Sequence, residues 1–200
     1  MSKLKGKVAA RARKNKIDAE KRKFEAYKKS FENNILKFEE SKLFIPSVEV
    51  DKDTCDIDKI NKICKTISRT IIFSKSGVGL AAPQIGENIR IIGLRKDLNS
   101  SEVTIMINPK IISHSNDSKY NIEGCLSFPG INAYVKRYTV VTVKYFDENW
   151  KEKEVTYKNE LSAIVVQHEI DHLDGECVVY KWWKSPEEMY NKYLEDIKNQ

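Results

Sequence analysis

His168-Glu169-Ile170-Asp171-His172 is an HExxH motif, and on a helix its four-residue spacing puts both imidazoles on one face, able to grip one metal ion. Glu169 then projects beside the pair, the position of a general base acting on water that a metal activates. The chain has only 3 histidines, so two at this spacing around a glutamate favour a metal centre over a buried, hydrogen-bonded imidazole pair. Hydrolytic metal centres typically use three protein ligands and keep one position open. Cys125, in Glu123-Gly124-Cys125-Leu126-Ser127, is the strongest remaining candidate: the adjacent glycine lets the backbone approach closely, and a thiolate ligand needs no oxidising environment. The competing reading is a small apolar filler, which is also the reading for Cys55, Cys64 and Cys177. A third stretch, Gly77-Val78-Gly79-Leu80-Ala81-Ala82-Pro83-Gln84-Ile85-Gly86, lets a ligand lie against small residues, with the Gln84 amide as a donor. It lacks the Lys-Ser/Thr of a phosphate-binding loop and on its own is a turn.

These residues need elements to hold them. Asn159 or Ser162 can open a helix that runs through His172, with Leu161, Ile164, Val165 and His168 facing inward, and Asp174-Gly175 ends it. Upstream, Asp56 or Asp58 can cap a helix with the stripe Ile57, Ile60, Ile63, Ile67 and Ile71, which should stop before Gly77. Segments rich in Ile, Val, Thr and Tyr at about 89–94, 103–108, 110–114, 139–146 and 153–157 predict strands. The intervals are too short for repeated helical crossovers, so the sheet should be mostly antiparallel. Phe24, Tyr27, Phe31, Ile35 and Phe38 recur at helical spacing and predict an amphipathic helix over 24–42, packed on its own domain or on a partner. A short strand at 176–180 leads to Ser185-Pro186-Glu187-Glu188, which announces a last helix with the stripe Met189, Tyr193, Leu194 and Ile197.

The 200 residues fit one domain with some chain left over, and 40% hydrophobic content suffices for a core. No apolar run is long enough to span a membrane, and the mean hydropathy of −0.53 predicts a soluble protein without membrane partners. The net charge of +6 is unevenly placed: residues 1–23 hold 10 Lys+Arg against 2 acids, and the remainder holds 25 against 27. The tail has almost no large apolar residues, so it is read as solvated or partner-dependent. It lacks the apolar region of a signal peptide, and unpaired cysteine spacing points to a reducing compartment: cytoplasmic, or organellar if 1–23 is a transit segment.

GVGLAAPQIG, EGCLS and QHEIDHLDG, in that order, closely resemble the three signature motifs of the peptide deformylase family over roughly residues 44–180. With the periodicities above, the resemblance implies an α+β fold of antiparallel β-sheets around a central HExxH helix, with an additional N-terminal helix and a C-terminal helix. The chain then divides into a basic flexible tail at 1–23, an amphipathic helix at 24–42 and a catalytic domain at 43–200. The implied activity is hydrolytic removal of the formyl group from the N-terminal formylmethionine of newly synthesised polypeptides. The implied cofactor is one divalent metal ion, Fe2+ first, with Zn2+, Ni2+ or Co2+ as alternatives for a mixed sulfur and nitrogen site. Carried over residue by residue, Cys125, His168 and His172 match the metal ligands and Glu169 the general base and acid. Gln84 and the Leu126 N–H match the oxyanion donors. Gly79 would line the substrate path, and Val78, Leu161, Ile164, Val165 and the stem of Glu123 the pocket for the methionine side chain, although the three helical residues also fit plain core. Ser127 and Asp171 are candidates to support this site.

The chain departs from the family at Asn132, where many members carry an arginine that holds the substrate backbone, and over 44–54, which fits the usual opening poorly. Residues 1–42 are an extra piece, and the C-terminal helix is nearly charge-balanced where some members use a basic one to dock on the ribosome. The basic tail could take over that contact with ribosomal RNA. Two other functions fit parts of the sequence. A zincin-type peptidase would need a third ligand downstream of His172, where no histidine lies, and a non-enzymatic RNA-binding protein would not need the intact ligand set.

Overall fold

The computed structural model describes residues 18–19, 21–22, 25–26, 29–30, 33–37, 40–74, 76–158 and 160–177. A five-stranded antiparallel sheet carries the fold in the order β1-β2-β3-β6-β7, from Gly79–Ala81 (β1), Ile91–Arg95 (β2), Val103–His114 (β3), Val141–Phe146 (β6) and Glu152–Tyr157 (β7). Ser118–Cys125 (β4) and Phe128–Tyr138 (β5) form a separate hairpin. Helix α1, Ile57–Phe73, lies on one face of the large sheet and helix α2, Glu160–Leu173, on the other.

The two-residue alternation of the strands sorts their side chains between these helices. Leu80, Ile91, Ile105 and Ile107 pack with Ile60, Ile63, Ile67 and Ile71 of α1. Ala81, Ile92, Leu94 and Met106, with Val141 and Val143, pack with Ala163, Val166, Ile170 and Leu173 of α2. A strand covered on both faces reads as a continuous apolar run, as in Ile91-Ile92-Gly93-Leu94. Asp56 is the cap of α1, its carboxylate accepting the Lys59 N–H at 3.0 Å. Ser74 closes that helix, and its hydroxyl accepts the Gly77 N–H at 2.7 Å. Among the described residues no helix is long and apolar enough to cross a membrane.

The structure corrects several expectations. Between 18 and 33 every described residue is helical, but the helix expected over 24–42 has ended by residue 34. Tertiary contacts win there: Ile35 is buried in the α1-side core, and the Leu36 N–H donates to the Gln84 carbonyl at 2.7 Å. Phe24, Tyr27, Phe31 and Phe38 lie outside the described residues. The segments 103–108 and 110–114 form one strand, bulged where Asn108 takes φ 51. Its amide accepts the Val50 N–H and donates to the Val50 carbonyl, both at 2.8 Å, so it stands in for a strand partner. The β4-β5 hairpin was not foreseen. Ile57 is 43% exposed and stands outside the buried stripe of α1. Glu176 and Cys177 are not in a strand, and 178–180 and the last helix lie outside the described residues.

Gly93 marks where α1 presses closest on the sheet: a Cβ there would lie 2.6 Å from Ile67 Cγ2 and 2.9 Å from Ile71 Cδ1. Gly93→Ala is therefore expected to cost about 1–3 kcal/mol, the usual range for an overpacked core. Urea unfolding measures it, and a loss below about 0.5 kcal/mol would show that α1 yields freely.

Candidate active site

Helix α2 presents His168 and His172 one turn apart, their rings edge to face at 5.1 Å between centroids. Cys125, the last residue of β4, brings its sulfur to 3.2 Å from His172 Nε2. One donor atom from each of Cys125, His168 and His172 lies within 4.8 Å of the others, a group that could hold a metal ion.

Each imidazole is held from behind. His168 Nδ1 donates to Glu123 Oε2 at 2.8 Å, which leaves Nε2 for the site. Arg137 grips Glu123 with two hydrogen bonds, at 2.7 and 2.8 Å, and reaches Asp171 of α2 at 2.6 Å. His172 Nδ1 lies 3.7 Å from the Cys177 sulfur, whose S–H donates to the Leu43 carbonyl at 3.7 Å. Burial pushes the Cys177 thiol up to about 12, so it stays a neutral donor.

The surroundings of the two imidazoles differ: those of His168 favour positive charge, while burial and the charges of His168 and Arg137 hold His172 well below the ordinary imidazole value. Burial alone would lower the basicity of His168, but the hydrogen bonds of Cys125 and Glu123 outweigh it and push its pKa up to about 10. Burial likewise works to raise Glu123, yet Arg137 and His168 hold it below the usual carboxylate value, so it stays ionised. A divalent ion supplies the positive charge this point attracts, and the sulfur and nitrogen donors suit a borderline or soft metal.

Glu169 points into the same space. Its Oε2 is buried without a hydrogen-bond partner among the described residues, and burial pushes its pKa up to about 7. Gly79 is what makes room for it, because a Cβ there would collide with Glu169 Oε1 and lie 2.6 Å from Val165 Cγ1. Gln84 is pinned from both ends of its amide. Oε1 accepts the Ala81 N–H at 2.8 Å, while Nε2 donates to Ser127 Oγ at 3.2 Å and faces Cys125 Sγ at 3.5 Å.

These groups open onto a cavity of about 660 Å³. Of the residues singled out from the sequence, Glu169, Gln84, Leu126, Cys125 and His168 line it, as do Val78, Gly79, Glu123, Leu161, Ile164 and Val165. His172 stands behind the lining, 1% exposed. Leu161 does not face inward as expected: it is 42% exposed, on the rim of the cavity. Asn132 is on the wall as well. Sequence reasoning missed Arg137, and it missed Ile35 and Lys37, which the N-terminal segment adds to the wall. Nothing local marks Arg137, since its partners are on β4 and α2.

A family model described as polypeptide deformylase matches residues 32–187. The chain belongs to the peptide deformylase family. That match begins well before residue 44, so the segment carrying Ile35 and Lys37 is part of the family unit, contrary to its reading as an extra piece. The chain is 39% identical over 128 residues to peptide deformylase 1 of Vibrio vulnificus, 64% of this chain and 75% of that one. It is 40% identical over 126 residues to a peptide deformylase of Endomicrobium trichonymphae, 62% of this chain and 74% of that one. Among solved structures it resembles a class I type b peptide deformylase of Acinetobacter baumannii bound to Met-Ala-Ser. There the TM-score is 0.66 and the identity 28%, over 73% of this chain and 95% of that one. It also resembles the Synechococcus elongatus enzyme in complex with actinonin, at TM-score 0.64 and 34% identity, over 72% of this chain and 75% of that one. The enzymes of this family are hydrolases acting on N-formylmethionine, and this chain is one of them.

Arg137→Met takes from the buried Glu123 and from Asp171 the guanidinium they share and is expected to destabilise the fold by about 3–5 kcal/mol, read by urea unfolding. Glu123→Gln, which weakens the support of His168, should lower metal affinity about 10- to 100-fold in a chelator competition. Unchanged affinity would remove Glu123 from that role.

Proposed function

We propose that the chain releases formate from N-formylmethionyl peptides at a single divalent metal held by Cys125, His168 and His172. The observation that carries this is the convergence of those three donors beside the unpartnered, buried carboxylate of Glu169. The product-like Met-Ala-Ser bound by the Acinetobacter baumannii relative supports the substrate class.

A divalent ion bound there supplies Lewis acidity and lowers the pKa of water. Glu169 takes the proton of the attacking water and later delivers it to the departing amine nitrogen, and burial has brought its pKa near neutrality, where one group does both. Gln84 and the Leu126 N–H donate to the developing oxyanion, and the bonds to Ala81 and Ser127 hold Gln84 in place beforehand. Val78, Ile164, Val165, the rim residue Leu161 and the stem of Glu123 receive the flexible methionine side chain, while Gly79 leaves room for the peptide backbone. Fe2+ is the metal proposed first, with Zn2+, Ni2+ or Co2+ able to occupy the same donors.

Glu169→Ala is expected to retain its metal yet lose at least about 100-fold in turnover, and Cys125→Ala to lose metal during chelator dialysis. Metal analysis beside formate release from formyl-Met-Ala-Ser reads both, and near-normal turnover in Glu169→Ala would defeat the mechanism.

The net +8 of residues 1–23 supports a second, accessory role, contact with ribosomal RNA in the cytoplasm where formylated chains emerge. Ribosome cosedimentation should fall steeply with salt and drop on removal of 1–23. Equal binding of both chains would end the idea.

A further inference from the structure

Among the described residues, Lys37 is the one lysine or arginine on the wall of the catalytic cavity. The segment that carries it is anchored just before it, by burial of Ile35 and by the Leu36 bond to the Gln84 carbonyl. Lys37 itself is half-buried, and its ammonium donates to the Leu126 carbonyl at 3.1 Å. The other charged or titratable groups on that wall are accounted for. Glu123 is neutralised by Arg137, and His168 and Glu169 belong to the reaction centre. Away from that centre the described residues of the lining therefore bear one formal charge, and it is positive.

That charge is close enough to meet the substrate. Leu126 directly follows Cys125, so covalent geometry keeps the Lys37 ammonium within about 12 Å of the Cys125 sulfur. An extended peptide advances about 3.4 Å per residue, so a chain that has its formyl group at the centre and runs toward Leu126 brings its next two residues within side-chain reach of Lys37. An ammonium has three donors, and the Leu126 carbonyl takes one.

Resting on the deformylase reading above, we propose that Lys37 makes this site select formylmethionyl peptides bearing a carboxylate on one of the two residues after methionine. The carboxylate is a side chain, or the chain terminus of a short peptide. Lys37 joins the site as a specificity residue, and the N-terminal segment is what delivers it.

The test compares kcat/KM of the metal-loaded full chain on amidated formyl-Met-Glu-Ala and formyl-Met-Gln-Ala, and on formyl-Met-Ala-Ser as acid and as amide. At low salt the carboxylate form of each pair should be preferred about three- to tenfold, as for a partly exposed ion pair, and the preference should shrink as salt rises. The Glu/Gln pair reports a side-chain source and the acid/amide pair a terminal one. Lys37→Met should bring the ratios to about one and Lys37→Glu should invert them. If Lys37 only buttresses the Leu126 carbonyl, its variants lower all peptides together and leave the ratios unchanged, which overturns the proposal. An active wild type with ratios near one overturns it without any variant. A wild type that releases formate from none of these peptides overturns the deformylase reading itself, and this inference with it.

Discussion

One buried guanidinium registers the two halves of the site. Cys125 arrives on a hairpin and the two imidazoles on a helix, and Arg137 ties them together, bonded to Glu123 of β4 and to Asp171 of α2, beside the His168 bond to Glu123. Taking a guanidinium and a carboxylate out of water costs several kcal/mol per ion, offset only where geometry is good and every donor is used. Here the fork meets Glu123 through two short bonds, and the remaining Glu123 lone pairs serve His168. Such a network adds little net stability compared with an apolar core of the same volume. Its effect is positional, because a hairpin that slipped by one residue would turn both Glu123 and Cys125 away from α2 together.

The two imidazoles are not equivalent. His168 is backed by an ionised carboxylate and His172 by a neutral thiol, so His168 is the more electron-rich donor. The thiol in turn leans on Leu43, in the short 3-10 turn Ser41–Phe44. The N-terminal segment thus touches the site at three points: behind His172 through Leu43, beside Gln84 through Leu36, and at Leu126 through Lys37. It is a wall of the active site and not an appendage to it.

What the sequence made legible follows periodicity. The isoleucine stripe of α1 and the apolar runs of β2, β3 and β6 are local patterns, and HExxH carries its geometry in its spacing. The β4-β5 hairpin was invisible because its composition, with Lys119, Asn121, Gly124, Pro129, Gly130 and Asn132, is that of a loop. Tertiary contacts hold it as sheet: Gln167 of α2 both accepts from and donates to the backbone of Tyr138, each at 3.0 Å. Ile35 misled for the same reason, since its helical spacing was real but its burial lies against α1 in an irregular segment. Arg137 could not be found from sequence, because its role exists only once β4, β5 and α2 have met.

Gly79 shows how a weak sequence signal can hide a strong constraint. As part of GVGLAAPQIG it reads as turn chemistry, yet it lies buried in strand β1, and its missing side chain is the volume that the Glu169 carboxylate fills. That carboxylate has an oxygen with no hydrogen-bond partner among the described residues, a state that costs about 1–3 kcal/mol in a buried group. Stability alone would replace it with a methyl group or give it a donor. In the proposed mechanism a donor would hold Glu169 permanently ionised and away from the water it is to deprotonate, so there the unmet valence would leave the oxygen free to exchange a proton. Glycine at 79 and the orphaned oxygen at 169 are thus one feature, a clearance kept open in the core of the fold for a carboxylate that no described residue engages at that oxygen.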